Sequence, residues 1–125
     1  MDIYLVSNLI QGAVMKPSEF FGILNHFANS KDSTQLLSMS NDIEVFSSKT
    51  FGTGKLTIGK DAPTAFRDAI NSYAKAKKTV KLDVMSLSET DSGGIIGVNV
   101  VNGRSKYVGA FSIILKNKQI IAFVE

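Results

Sequence analysis

The chain has 125 residues, 44% of them hydrophobic and 20% charged, with a net charge of +3. That length and mixture fit one globular domain, residues 1–125, whose core is large enough to need no covalent staples. With no cysteine in the sequence, a disulfide framework, a cysteine-ligated zinc site and a thiol nucleophile are excluded together.

The opening run MDIYLVSNLIQGAVM is apolar, yet Asp2 precedes the first cation, Lys16, so the basic region of a signal peptide is missing. Ser7, Asn8, Gln11 and Gly12 break the run before it reaches membrane-spanning length. Ile3, Val6, Ile10 and Ala13 fall on one helical face, and residues 1–16 are expected to be a packing or docking segment. There is no Asn-x-Ser/Thr acceptor, so nothing points to a secreted glycoprotein, and the expected location is intracellular.

After Pro17-Ser18, the residues Phe20, Phe21, Ile23, Leu24, Phe27 and Ala28 repeat at helical spacing. The apolar face is broad, so the helix is expected to be largely buried. Asp32 with Gln35 three residues later resembles a capping box opening a short helix with Leu36, Leu37 and Met39 inward. Asn41-Asp42 ends it and IEVFS follows as a short strand. A loop with a second short strand over Leu56–Ile58 leads to a helix capped by Asp61, with Pro63 in its first turn and Ala62, Phe66, Ala69, Ile70 and Tyr73 inward.

The second half is strand after strand. Val80, Leu82 and Val84 alternate, and then Met85 and Leu87 carry the apolar parity. Such a slip predicts a β-bulge near Val84-Met85. Asn102-Gly103 is a strong hairpin signal. QIIAFVE is apolar on both faces, so the last strand is expected to be central rather than an edge. Helices first and strands afterwards give an α+β fold: about three helices packed on a curved antiparallel sheet of about four long strands.

Few residues look like chemistry. Gly54 to Gly59-Lys60 has phosphate-loop spacing, but the next residue is Asp61 where Ser or Thr must ligate magnesium. Lys75, Lys77, Lys78 and Lys81 gather at a helix end, where cations favour the negative end of the helix dipole; they offer nucleic acid only a weak contact. His26 is the single histidine, and no carboxylate stands one helical turn away to orient it. Glu44 shares strand parity with Phe46. No cofactor or metal site is indicated, and if the chain is an enzyme, Glu44, His26 and Tyr73 are the candidate catalytic residues.

The ordered series FFGILNHFANSKD, QLLSMSNDIEVF, Gly59-Lys60 entering the third helix, KLDVMSLSETDSGGIIGVNVVNG and GAFSIILKNKQIIAFVE resembles the nuclear transport factor 2-like superfamily over roughly residues 18–125. The resemblance implies a cone-shaped, cystatin-like α+β roll over residues 17–125, a fold that serves ketosteroid isomerase-like and SnoaL-like enzymes as well as transport factors. Ser47 stands where isomerases of the family place their catalytic Asp. Leu24 falls near their first-helix Tyr, and Ala110 or Phe111 near their late-strand Asp. The acidic residues by which nuclear transport factor 2 holds the GDP form of Ran also lack counterparts. The branch this pattern resembles more is the small subunit of the mRNA-export heterodimer, which implies a non-enzymatic module, in nucleus or cytoplasm, that pairs through its sheet with a partner of similar fold or with itself. Gly97, Asn99, Val101, Tyr107, Phe111 and Ile113 are the expected partner-binding residues, with Tyr107 or Phe111 as anchor. The alternative is a small-molecule enzyme or ligand binder using the cone interior, unless the eight phenylalanines fill it.

Overall fold

The computed structural model describes residues 15–77 and 79–125. The expected docking segment therefore lies, except for Met15 and Lys16, outside the described residues, as does Lys78.

Helix α1 (Pro17–Ser30) starts with proline at its first position, where the missing N–H is harmless, and the Glu19 carboxylate accepts the Lys16 N–H at 2.7 Å. It buries Phe20, Phe21, Leu24, Phe27 and Ala28 and ends at Lys31, which adopts left-handed backbone at φ 61° and donates its N–H to Phe27. The Asp32 carboxylate accepts the Thr34 N–H at 3.1 Å and opens α2 (Thr34–Ser38), which sinks Leu36 into the core. That bond holds the Asp32 carboxyl below its ordinary range. A single 3₁₀ turn (Ser40–Asp42) leads to strand β1 (Val45–Ser47), and β2 (Thr57–Ile58) follows. Helix α3 (Ala62–Lys75) buries Ala62, Phe66, Ala69, Ile70 and Tyr73, the five residues its spacing singled out.

Four longer strands complete the chain: β3 (Val80–Thr90), β4 (Gly93–Asn102), β5 (Ser105–Lys116) and β6 (Gln119–Val124). The sheet has six strands in the order β2-β1-β6-β5-β4-β3, two more than the long strands alone suggested. All neighbours are antiparallel except β1 and β6, which run parallel with Phe46 opposite Phe123. β6 is central, as its two apolar faces require. The expected bulge is present: the β3–β4 register slips between Val84 and Ser86. The β4–β5 loop is one residue further on than the Asn-Gly pair indicates. Asn102 is paired with Ser105, and Gly103-Arg104 form the turn, with Gly103 at φ 64°; glycine at the first central position is the primed-turn requirement.

The helices cover one face of the sheet. All eight phenylalanines are buried between the layers, from 0% exposure at Phe20, Phe66, Phe111 and Phe123 to 8% at Phe21. Phe123 is a hub, its ring 5.5 Å from Phe20, 5.9 Å from Phe46 and 5.4 Å from Phe111. The cone interior is thus packed with aromatic rings.

The expected partner face needs correction. Ile96 is opposite Phe111 and Val100 is opposite Tyr107, and directly opposed residues share a sheet face. Phe111 (0% exposed) and Ile113 (2%) therefore lie in the core beneath the helices, and Tyr107 packs partly buried against the same core. Only Gly97, Asn99 and Val101 keep their expected place on the outer face. Across from them stand Lys106, Val108 and Ala110, and Val108, Ile95 and Ile114 are more than half exposed.

Candidate functional site

Where β1 ends, the chain turns sharply through Ser48-Lys49-Thr50-Phe51, and the carboxylate of Glu125, just past β6, holds that turn. Its Oε1 accepts from the Ser48 hydroxyl at 3.0 Å and the Thr50 N–H at 2.8 Å, and its Oε2 accepts from the Thr50 hydroxyl at 2.6 Å. Since Thr50 donates to the carboxylate, its oxygen accepts from the Tyr107 hydroxyl at 2.5 Å. The Phe51 N–H closes the turn on Ser48 Oγ at 2.9 Å, and Lys49 lays its ammonium 4.2 Å from the Tyr107 ring centre.

This turn and the following loop form one wall of an open groove of about 760 Å³; the length of α3 forms the other. Phe46, Phe51 and Tyr73 supply apolar floor, Thr50, Thr64 and Ser72 supply hydroxyls, and Asn102 stands at the end where α3 runs out. The Asn102 Oδ1 is buried and has no hydrogen-bond partner, a costly condition for an acceptor. Asn102 has the parity of Ile96, Val98 and Val100 on the helix-facing side of β4.

The candidate catalytic residues do not come together. His26 is exposed on α1 and Glu44 is exposed ahead of β1, and neither lines the groove. Tyr73 does line it, but its hydroxyl is committed to structure: it donates to the Ala28 carbonyl and accepts the Val80 N–H, both at 2.8 Å. Burial raises both the Tyr73 and Tyr107 phenols above the ordinary 10.0, so each is a neutral hydrogen-bonding group near pH 7. Ser47, where the resemblance places the isomerases' base, donates its hydroxyl to the Gly54 carbonyl at 3.2 Å. Leu24 and Phe111 are core residues, and Ala110 faces outward. The groove carboxylates are Asp61, at the cap of α3, and Asp68, seven residues further along it. Among the described residues no group of acidic or histidine side chains could hold a metal ion. Lys75 sits in the last turn of α3 and Lys81 on β3, so the basic cluster is split between two elements.

The Glu125 clamp escaped sequence reasoning because its contacts span 75 residues for Thr50 and 77 for Ser48, with no local spacing to mark them. Its removal tests it: in Glu125→Ala, two hydroxyls and one N–H lose their acceptor, and destabilisation of about 1–3 kcal/mol is expected. Hydrogen exchange at the Thr50 amide should accelerate at the same time; an unchanged Thr50 rate would show that the turn holds itself.

No protein-family model matches the chain, and no curated protein matches it. Solved structures do. The chain is similar to an NTF2-like protein from Anabaena variabilis, at a TM-score of 0.64 and 11% identity, over 86% of this chain and 82% of that one. It is also similar to a putative ketosteroid isomerase from Kribbella flavida, at a TM-score of 0.58 and 12% identity, over 82% of this chain and 71% of that one. These likenesses agree with the architecture above: the chain has the nuclear transport factor 2-like α+β fold, with three helices on a curved, unclosed sheet. They lend no support to the transport and mRNA-export branch. Among the described residues no helix is long and apolar enough to cross a membrane.

Proposed function

We propose that this chain is a ligand-binding protein of the nuclear transport factor 2-like fold, without the catalytic groups of the isomerases, and that its ligand lies in the groove between α3 and the 48–57 loop. The observation that carries this reading is the buried, unpartnered Asn102 Oδ1 in the wall of a groove floored by Phe46, Phe51 and Tyr73. An apolar ring bearing an O–H or N–H donor covers the floor and, with the Asn102 side chain turned into the groove, satisfies the acceptor. The likeness to a putative ketosteroid isomerase favours a small-molecule site over nuclear transport. The filled cone interior and the scattered His26, Glu44 and Tyr73 argue for binding without turnover. Titration of 2-naphthol and naphthalene tests it. The hydroxylated probe is expected to bind at least about tenfold tighter, about 1.4 kcal/mol, and Asn102→Leu is expected to erase the difference. Equal affinities, or a difference that survives in Asn102→Leu, would contradict the assignment.

A second reading rests on the outer sheet face. Val108 is 67% exposed, Ile95 55% and Ile114 52%, with the small Gly97 and Ala110 between them. This face is the one available for pairing with a second copy or a partner of similar fold, heterodimer or homodimer, and Val108 replaces Tyr107 and Phe111 as its anchor. Placing a charge there by Val108→Asp is expected to weaken self-association at least tenfold in sedimentation equilibrium. An unaltered association constant would remove the face from consideration.

A further inference from the structure

Strand β3 is an edge of the sheet, and its middle is unusually apolar for an edge. Val84 is 51% exposed, Met85 57% and Leu87 48%. Val84 is opposite Val98 and Leu87 opposite Ile96, both buried core residues, so these two side chains point to the helix-covered side but extend past the helix that covers their neighbours. Edges of this kind are normally charged or covered; here three apolar side chains within four residues meet solvent.

Helix α1 runs alongside this lip. At one end the Ser18 N–H and hydroxyl donate to the Glu89 carboxylate at 3.0 and 3.1 Å. At the other end Asn25 and Asn29 line a recess of about 460 Å³ with Val80, Leu82 and Asp83. Gly22 lies on the same helix face between those contacts, and a Cβ built there would meet nothing within 4 Å. With no side chain at Gly22, the strip between α1 and the β3 lip is left uncovered there, and this strip is the channel.

We propose that residues 1–14 of the same chain dock in this channel, covering Val84, Met85 and Leu87. Their tether fixes them there: Met15 packs against the core at the head of α1, three residues before the Ser18–Glu89 contact. Their stripe suits the lip, because Ile3, Val6, Ile10 and Ala13 repeat at helical spacing, with Asn8 and Gln11 on the opposite side. The lengths agree as well. A helix of eleven residues spans about 16 Å, and β3 from Val84 to Glu89 runs about 17 Å. Led back from Met15, the segment sets Ile10 against Leu87 and Val6 against Val84. This surface is distinct from the α3 groove, so the two assignments stand or fall separately.

The absence of cysteine makes a clean test. In the full chain carrying Ile10→Cys and Leu87→Cys, diamide oxidation is expected to give an intramolecular disulfide as the main product. A control with Ile10→Cys and Val108→Cys, which places the second thiol on the outer face, is expected to give none. An intermolecular disulfide would assign the channel to a second copy, and no disulfide, or equal yield in the control, would overturn the proposal outright. A second measurement leaves β3 untouched: in the full chain with Val6→Asp and Ile10→Asp, hydrogen exchange over residues 84–88 is expected to rise at least tenfold relative to the unmodified chain. An unchanged rate would equally overturn it.

Discussion

Phe123→Ala is expected to lower the stability of the fold by about 3–5 kcal/mol, the range for removing a fully buried aromatic side chain. Phe123 has no exposed surface, and its ring touches Phe20 of α1, Phe46 of β1 and Phe111 of β5. It thereby couples a helix to both strands flanking β6, and Phe46 and Phe111 are each held by a further ring, Phe66 and Phe21, that resists relaxation into the space. For a domain of this size the loss corresponds to a fall in Tm of roughly 10–20 °C. The variant also bears on function. The cavity it leaves is apolar, dry and shaped by aromatic rings, and such cavities take up benzene. Benzene should raise the Tm of Phe123→Ala by more than that of the natural chain, because only the variant has an interior to fill. A loss below about 1 kcal/mol, or equal benzene stabilisation of the variant and the natural chain, would mean that the cone is not packed as described.

Tyr73→Phe is expected to cost about 2–3 kcal/mol although it removes a single oxygen. That oxygen serves two backbone groups at once, the Ala28 carbonyl at the end of α1 and the Val80 N–H at the start of β3, both at 2.8 Å. The ring, 5% exposed and packed 5.2 Å from Phe27 and 5.0 Å from Phe51, remains to exclude water. The two orphaned groups then carry the desolvation penalty without relief. Urea denaturation gives the size of the loss, and 2-naphthol affinity measured well below the transition separates the roles. A structural hydroxyl predicts a large stability loss with affinity nearly preserved. A hydroxyl that serves the ligand predicts the reverse, with stability intact and affinity reduced.

The parts of the fold governed by local periodicity were legible in the sequence. Helix α3 declares its buried face because residues 62, 66, 69, 70 and 73 fall on one stripe and nothing distant overrides them. The bulge is visible because the apolar parity changes sides at Met85, and the central place of β6 follows from its two apolar faces. The outer sheet face was misread for a reason that is itself geometric. A hairpin with a two-residue loop sets odd-numbered residues opposite even-numbered ones, so Gly97, Asn99 and Val101 oppose Lys106, Val108 and Ala110. Tyr107, Phe111 and Ile113 then must face the helices, whichever of the two candidate loops closes the hairpin. That constraint was present in the sequence and follows from the strong turn signal alone.

The site was much less legible. Asn102 reads locally as a turn residue; its parity with Ile96, Val98 and Val100 is the signal that places it inward. Thr50, Tyr107 and Glu125 meet only because β1 lies parallel to β6, a pairing that no short-range pattern encodes. His26 and Glu44 are each the right chemical type for catalysis, but both are exposed and neither lines the groove. The resemblance implied the fold that the structure shows and left the activity to the residues actually present.

The assignment of ligand to the α3 groove rather than the cone interior is tested most directly by mapping amide chemical shifts of the natural chain during titration with 2-naphthol. The account predicts changes confined to Thr50, Phe51, Ser72, Tyr73 and Asn102, including the Asn102 side-chain amide, with Leu24, Phe111 and Phe123 undisturbed. Changes centred on Leu24, Phe111 and Phe123 would place the ligand in the interior and contradict it.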